Sequence, residues 1–178
     1  MTLAIAVLIG ALQAGVPDAF AVRCDLQGTY DEMASAMITA QSAADIDMYH
    51  DTFYASDWVF TDIRNQRHEW PDIRRAQVDA LQAPAPDTLR FPIQKLSSTG
   101  SSVTALVHVV TVRTVTDVDG KYGAPGKVHT IAETTPMRDT WIRVGNLWRL
   151  QARQQVGPTQ QRVDRLPHDL KSPRCPTQ

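Results

Sequence analysis

The sequence predicts an α+β fold: a cone in which three N-terminal helices pack on a strongly curved antiparallel sheet. Three observations point there. Apolar residues recur at helical spacing through the first half of the chain. From about residue 89 the pattern shifts to long β-branched runs separated by turn residues. Helices followed by a run of strands is the order of an α+β domain, in which amphipathic helices cover one face of the sheet. A bent sheet wrapped on helices leaves a hollow, which is a natural ligand cavity.

The first 21 residues read as an export signal. Leu3 to Leu12 is an apolar run, and Ala19-Phe20-Ala21 fits a small-x-small cleavage site. The run is too short to span a bilayer as a helix, which takes about 20 apolar residues. No Lys or Arg precedes it, so a buried N-terminal helix is the other reading; Gly10, Gly15 and Pro17 weaken that helix. Arg23 stands where a lipoprotein signal needs a small residue, which argues against lipidation of Cys24. The expected organisation is a signal at 1–21, a domain at 22–156 and an irregular tail at 157–178.

Within the domain, Asp25 is placed to cap a first helix whose stripe is Leu26, Tyr30, Met33, Met37, Ala40 and Ala44. Asp45 is placed to cap a second, with Ile46, Tyr49 and Phe53 on one side. "DWVFTD" then reads as a short strand with Trp58, Phe60 and Asp62 on one face and Val59 and Thr61 on the other. The polar stretch 63–69 is a turn with a short returning strand. Pro71 suits the first position of a third helix, which "APAP" at 83–86 terminates.

In the second half, 89–97 reads as a strand that Pro92 confines to an edge or a bulge. Residues 103–116 form a long β-branched strand, and "DVDGKYGAPG" a long loop. The run 127–144 is a further strand, with an interruption or bulge expected near Pro136. Gly145-Asn146 is a two-residue hairpin turn into a last strand at 147–156.

A 178-residue chain with 43% hydrophobic residues can bury a core without staples. The formal charge of −1, or zero once Asp18 leaves with the signal, offers nothing to nucleic acid or to an anionic membrane. The two cysteines, Cys24 and Cys175, suggest a disulfide in an exported protein, the alternative being two free thiols. Such a bridge would close a loop of about 150 residues, worth about 5 kcal/mol of loop entropy less any strain.

The residues that could carry chemistry are few. Asp62 follows two large rings on one strand face, where a dry setting would raise its pKa and suit a base; equally, an Asp before a polar turn bonds backbone amides. His108 interrupts an apolar strand and is either a polarising partner or a satisfied strand histidine. Tyr30, Tyr49 and Tyr54 can donate hydrogen bonds. Trp58, Trp141 and Trp148 read as core, dimer face or ligand platform. Arg113 and Arg138 could clamp an anion, or pair with Asp139 or Glu133 across strands. One of Gln154 and Gln155 must face inward. There is no phosphate loop, no HExxH and no nucleophile elbow, and the histidines at 50, 68, 108, 129 and 168 lack ligand spacing. Neither a metal nor a nucleotide cofactor is expected.

Three segments resemble a known family: "AADIDMYHDTFYASDWVFTD", "SVTALVHVVTVRT" and "RDTWIRVGNLWRLQARQQ". Together they resemble the nuclear-transport-factor-two-like superfamily, in its SnoaL-like and ketosteroid-isomerase-like branch, over residues 26–156. The resemblance implies the cone-shaped, cystatin-like α+β barrel, a pocket between helices and sheet, and frequent dimers through the sheet. It does not imply one function, since members include isomerases, cyclases, dehydratases, binding modules and assembly domains. The expectation is an exported (periplasmic or extracellular) domain that binds a small apolar or amphipathic molecule, with Trp58, Phe60, Tyr30, Tyr49 and Gln154 as ligand contacts. The alternatives are a proton-transfer enzyme using Asp62 and His108, or a dimerisation module.

Overall fold

A computed structural model describes residues 19–99, 101–167 and 175. The proposed signal lies outside them up to residue 18; Ala19–Ala21 open the first helix. The elements run α1 (Ala19–Thr39), α2 (Ala43–Phe53), β1 (Tyr54–Thr61), β2 (Arg67–His68), α3 (Trp70–Ala80), β3 (Thr88–Arg90), β4 (Ile93–Thr99), β5 (Ser102–Asp117), β6 (Lys127–Val144), β7 (Leu147–Gln155) and β8 (Gln160–Val163).

The first part of the expected stripe turns inward, with Leu26, Tyr30 and Met33 fully buried and Met37 packed on the core, but α1 ends at Thr39, so Ala40 lies beyond it and Ala44 is an exposed residue of α2. Asp25 is not its cap. It sits inside the helix and accepts hydrogen bonds from Arg143 Nη2 and Trp148 Nε1, both 2.8 Å, tying α1 to the far end of β6 and β7. Nor does Asp45 cap α2. Ser42 does, and Asp45 closes a capping box by accepting the Ser42 amide at 2.9 Å. Pro71 stands at the start of α3, where a missing N–H costs nothing.

The sheet has eight strands in the order β2-β1-β7-β6-β5-β3, with β4 also on β5 and β8 on β6. It is mixed, not antiparallel: β1 runs parallel to β7. A parallel pair needs a long crossover, and everything from β2 to β6 supplies it. The sheet is open: its strand order does not close on itself. The tail is not wholly irregular, because β8 adds to the edge of β6 through Ile131–Thr134.

β6 passes Pro136 without a break in its pairing to β5. His108, opposite Pro136, donates its amide to Pro92 O at 3.2 Å, away from β6. Pro136 therefore directs its missing N–H away from β5, into the gap where β7 has ended and β8 has not begun. Val156 fills that gap by donating to Pro136 O at 3.0 Å. Gly157 follows, and a Cβ there would lie 2.8 Å from Pro136 Cγ. Gly157→Ala is expected to cost about 1–3 kcal/mol. Urea denaturation of the single variant and of Gly157→Ala/Pro136→Ala checks this; the double variant recovers most of the loss if this contact is the cause.

Cys24 and Cys175 form a disulfide, with Cα atoms 5.4 Å apart. The main core lies between the helices and the inner sheet face, centred on Trp141, Leu150, Tyr30 and Leu26. No described helix is long and apolar enough to cross a membrane.

Candidate functional site

The helices do not fill the inner face of the sheet. Between the end of α1, α2, α3 and the 81–86 segment on one side, and β3 and β5 on the other, lies a cavity of about 550 Å³. Met37, Ile46, Leu81, Leu89 and Val109 make its walls apolar. Val109, Thr111 and Arg113 face it from alternate positions of β5. Tyr49, Tyr54, Gln77 and Arg153 supply a polar end. The Tyr49 and Tyr54 hydroxyls are hydrogen-bonded at 3.4 Å.

Behind that end lies a buried network. Arg153 grips Asp139 in a fork, Nε to Oδ1 at 2.8 Å and Nη2 to Oδ2 at 2.6 Å. The Tyr30 hydroxyl donates to Asp139 Oδ2 at 2.6 Å, and Trp141 Nε1 donates to the Tyr30 oxygen at 2.8 Å. Asp139 is fully buried. Phe91 stacks on Tyr30 at 5.5 Å and receives the Arg153 guanidinium 5.2 Å from its ring centre.

Burial pushes Tyr30 well above the usual tyrosine range, and the neighbouring Asp139 adds to this. Burial does the same to Tyr49, with Tyr54 adding to it, and burial also raises Tyr54. At neutral pH all three are neutral donors. For Arg153, burial acts against the charge, but Asp139 outweighs it and raises the pKa well above the ordinary value. Arg153 is a permanent cation whose Nε and Nη2 are committed to Asp139.

The residues expected to be catalytic are not brought together. Asp62 Oδ1 accepts the amides of Arg64 and Gln66, both at 2.8 Å, and Oδ2 lies 3.3 Å from His68 Nε2. The Gln66 amide foremost, with His68 and Arg64, holds the Asp62 carboxyl below the usual range, against an opposing push from burial. That is the reverse of a tuned base. His108 lies between Val107 and Val109, which face the helices, so it points to the opposite sheet face. β7 and β6 separate β1 from β5, a span of about 14 Å at normal strand spacing.

Of the expected ligand contacts, Tyr49 lines the cavity. Tyr30 lies behind it in the network. Trp58 is core, stacked on Tyr54 with ring centres 4.5 Å apart. Phe60 packs beside His68 at 5.8 Å. Gln154 faces outward and accepts from Arg138 Nη1 at 3.3 Å. The cause is a bulge. Trp141 pairs with Leu150 but Thr140 pairs with Ala152, so Gln151 is an extra residue in β7. It reverses the alternation, turning Arg153 inward and Gln154 outward. Among the described residues no group of three or more His, Cys, Asp or Glu side chains could hold a metal ion.

The network residues Asp139 and Arg153 escape sequence reasoning for the same reason. Without the bulge the hairpin register would set Asp139 opposite Ala152; with it the partner is Arg153. The two-residue turn is visible in the sequence, but nothing in "RLQARQQ" marks Gln151 as the extra residue.

No protein-family model matches the chain, and no curated protein matches it by sequence. Solved structures do match. Aln2 from a Streptomyces species is 19% identical over 78% of this chain and 91% of its own, with a TM-score of 0.53. An NTF2-like protein with a cystatin-like fold from Novosphingobium aromaticivorans is 14% identical over 74% and 79%, TM-score 0.46. An NTF2-like protein of unknown function from Shewanella oneidensis is 10% identical over 70% and 93%, TM-score 0.48. At these identities the likeness is one of fold.

Proposed function

We propose that the chain is an exported domain that binds one small amphipathic molecule between its helices and the inner face of its sheet. One observation carries the reading: a cavity of about 550 Å³ with apolar walls and a polar end built from tyrosines, a glutamine and an arginine. That is the volume and chemistry of a small-ligand site. The helices standing off the inner face are what support the cone-like shape. The disulfide, the apolar run at Leu3–Leu12 and Ala19-Phe20-Ala21 support export.

Proton-transfer catalysis has less support. A general base must reach the proton it removes, directly or through one water. Among the described residues no Asp, Glu or His lines the cavity, and the tyrosines there are shifted away from the working range. Asp139 is closed off behind Arg153.

The neutral dye N-phenyl-1-naphthylamine tests the reading. It is expected to bind saturably with Kd on the order of 10 µM. Ala80→Trp, at an exposed position on the cavity rim, is expected to weaken binding at least about tenfold while the far-ultraviolet circular dichroism is unchanged. Absence of saturable binding, or equal binding by the blocked variant, defeats the proposal.

A further inference from the structure

Resting on that reading, we infer that the occupant is an anion: an apolar, ring-sized molecule whose acidic group, of the carboxylate or sulfonate class, is held by Arg113 at the cavity mouth. Its opposite end is a phenolic hydroxyl.

The charges around the cavity are asymmetric. The described lining includes two cations, Arg113 and Arg153, and no acidic side chain. The two arginines differ in what remains available. Arg153 is matched by Asp139 in a bidentate pair, so the inner end carries almost no net charge. It still donates. The linked hydroxyls of Tyr49 and Tyr54 hold two protons, and their mutual bond uses one. Gln77 Oε1, buried there without a hydrogen-bond partner, is an acceptor, so the inner end suits a phenolic hydroxyl that accepts from a tyrosine and donates to the amide.

Arg113 is exposed, and no ion pair engages it among the described residues. The carboxylates nearest in register have other partners: Asp87 accepts the Thr114 amide at 2.6 Å, and Glu133, opposite Thr111, accepts from Gln161 at 3.0 Å. On the β6 side Arg113 faces the apolar Ile131; on the β3 side the register continues to Asp87, whose Oδ2 is held by the Thr114 amide and which forms no ion pair with Arg113. Register also places the two arginines at opposite ends. Arg153 pairs with Asp139 and Asp139 with Ala105, while Arg113 is eight residues further along β5 (113 − 105). An occupant that uses both ends is apolar in the middle, where Val109 and Leu89 line the wall, and acidic only at the mouth. A guanidinium beside low-dielectric walls discriminates for an oxyanion by a charge-assisted, forked contact.

Two dyes that differ by one acidic group provide the test: 1-anilinonaphthalene-8-sulfonate and N-phenyl-1-naphthylamine. The protein is expected to bind the sulfonate on the order of fivefold more tightly, with the preference shrinking as salt rises. Arg113→Gln is expected to erase the preference and leave neutral-dye affinity within about twofold, and Arg113→Lys to keep part of it. Equal binding of the two dyes by the unaltered protein overturns the inference, as does a loss in Arg113→Gln that is the same for both. Either result leaves the cavity reading standing, because the neutral dye still binds and Ala80→Trp still blocks it. If neither dye saturates, the cavity reading falls and this inference falls with it.

Discussion

Replacing Arg153 with Met is expected to destabilise the protein by about 3–5 kcal/mol, a large part of the 5–15 kcal/mol that typically holds a domain together. Asp139 is fully buried and accepts three hydrogen bonds, two from Arg153 and one from Tyr30. Methionine has about the right length to fill the space but leaves a buried carboxylate with one neutral donor. The loss reflects stranding that charge, not the net worth of the ion pair, because desolvating both partners offsets most of their attraction. Two further variants separate these quantities. Asp139→Leu/Arg153→Met removes both charges and is expected to recover most of the stability. Asp139→Leu alone strands the guanidinium and is expected to behave like Arg153→Met. Urea denaturation with an unchanged m-value is the measurement. A cost below about 1 kcal/mol for Arg153→Met would show that water reaches Asp139 and that the network is not closed.

The network also explains where the sequence is readable and where it is not. Signals that depend on neighbouring residues come through. Leu26, Tyr30 and Met33 share a helix face, and all three are buried. The β-branched run 103–116 is β5, Pro92 falls in the break between β3 and β4, and Gly145 adopts φ +62° in the hairpin turn. What the local pattern does not carry is the partner of each strand. The placement of β1 beside β7, in parallel, depends on where the chain returns after about 90 residues. The pairing of β8 with β6 likewise depends on an edge that β7 leaves open by ending at Gln155.

The site is legible in the sequence only to the level of a hollow and one of its expected contacts, Tyr49. Asp62 stands out because aromatic residues precede it on one strand face, but the turn after β1 gives its carboxylate two backbone amides. That is the ordinary role of Asp before a turn. His108 stands out as a polar residue in an apolar strand, and alternation alone sets it on the face away from the cavity. One extra residue in β7 exchanges Gln154 for Arg153 on the inner face. A single bulge moves every later side chain of its strand to the other face. The place of Arg153 at the polar end of the cavity is therefore a product of register, which composition and periodicity do not encode.

Removing the disulfide is expected to lower stability by about 2–5 kcal/mol without changing the fold. Cys24 and Cys175 are 151 residues apart in sequence. The loop-entropy relation gives about 5 kcal/mol for such a closure, and measured effects usually fall short of it. The effect acts on the unfolded chain, because α1 is held to the sheet by other contacts. Arg23 donates to the Ile93 carbonyl, Gln27 Oε1 accepts the Ile93 amide at 3.4 Å, and Asp25 binds Arg143 and Trp148. Leu26, Tyr30 and Met33, buried in the bridged structure, are expected to stay buried when the sulfurs are not joined. Cys24→Ser/Cys175→Ser is thus expected to keep native circular dichroism and dye binding while its thermal midpoint falls by roughly 5–15 °C. Dithiothreitol should shift the unaltered protein by the same amount and leave the double serine variant unmoved. An unchanged midpoint under reduction would mean the two sulfurs are not bonded in solution. Loss of the native spectrum would mean the bridge, rather than the apolar face of α1, holds that helix in place. The expected result lies between these. A folded but weakened reduced form makes the bridge a device of the oxidising compartment in which the protein is proposed to work.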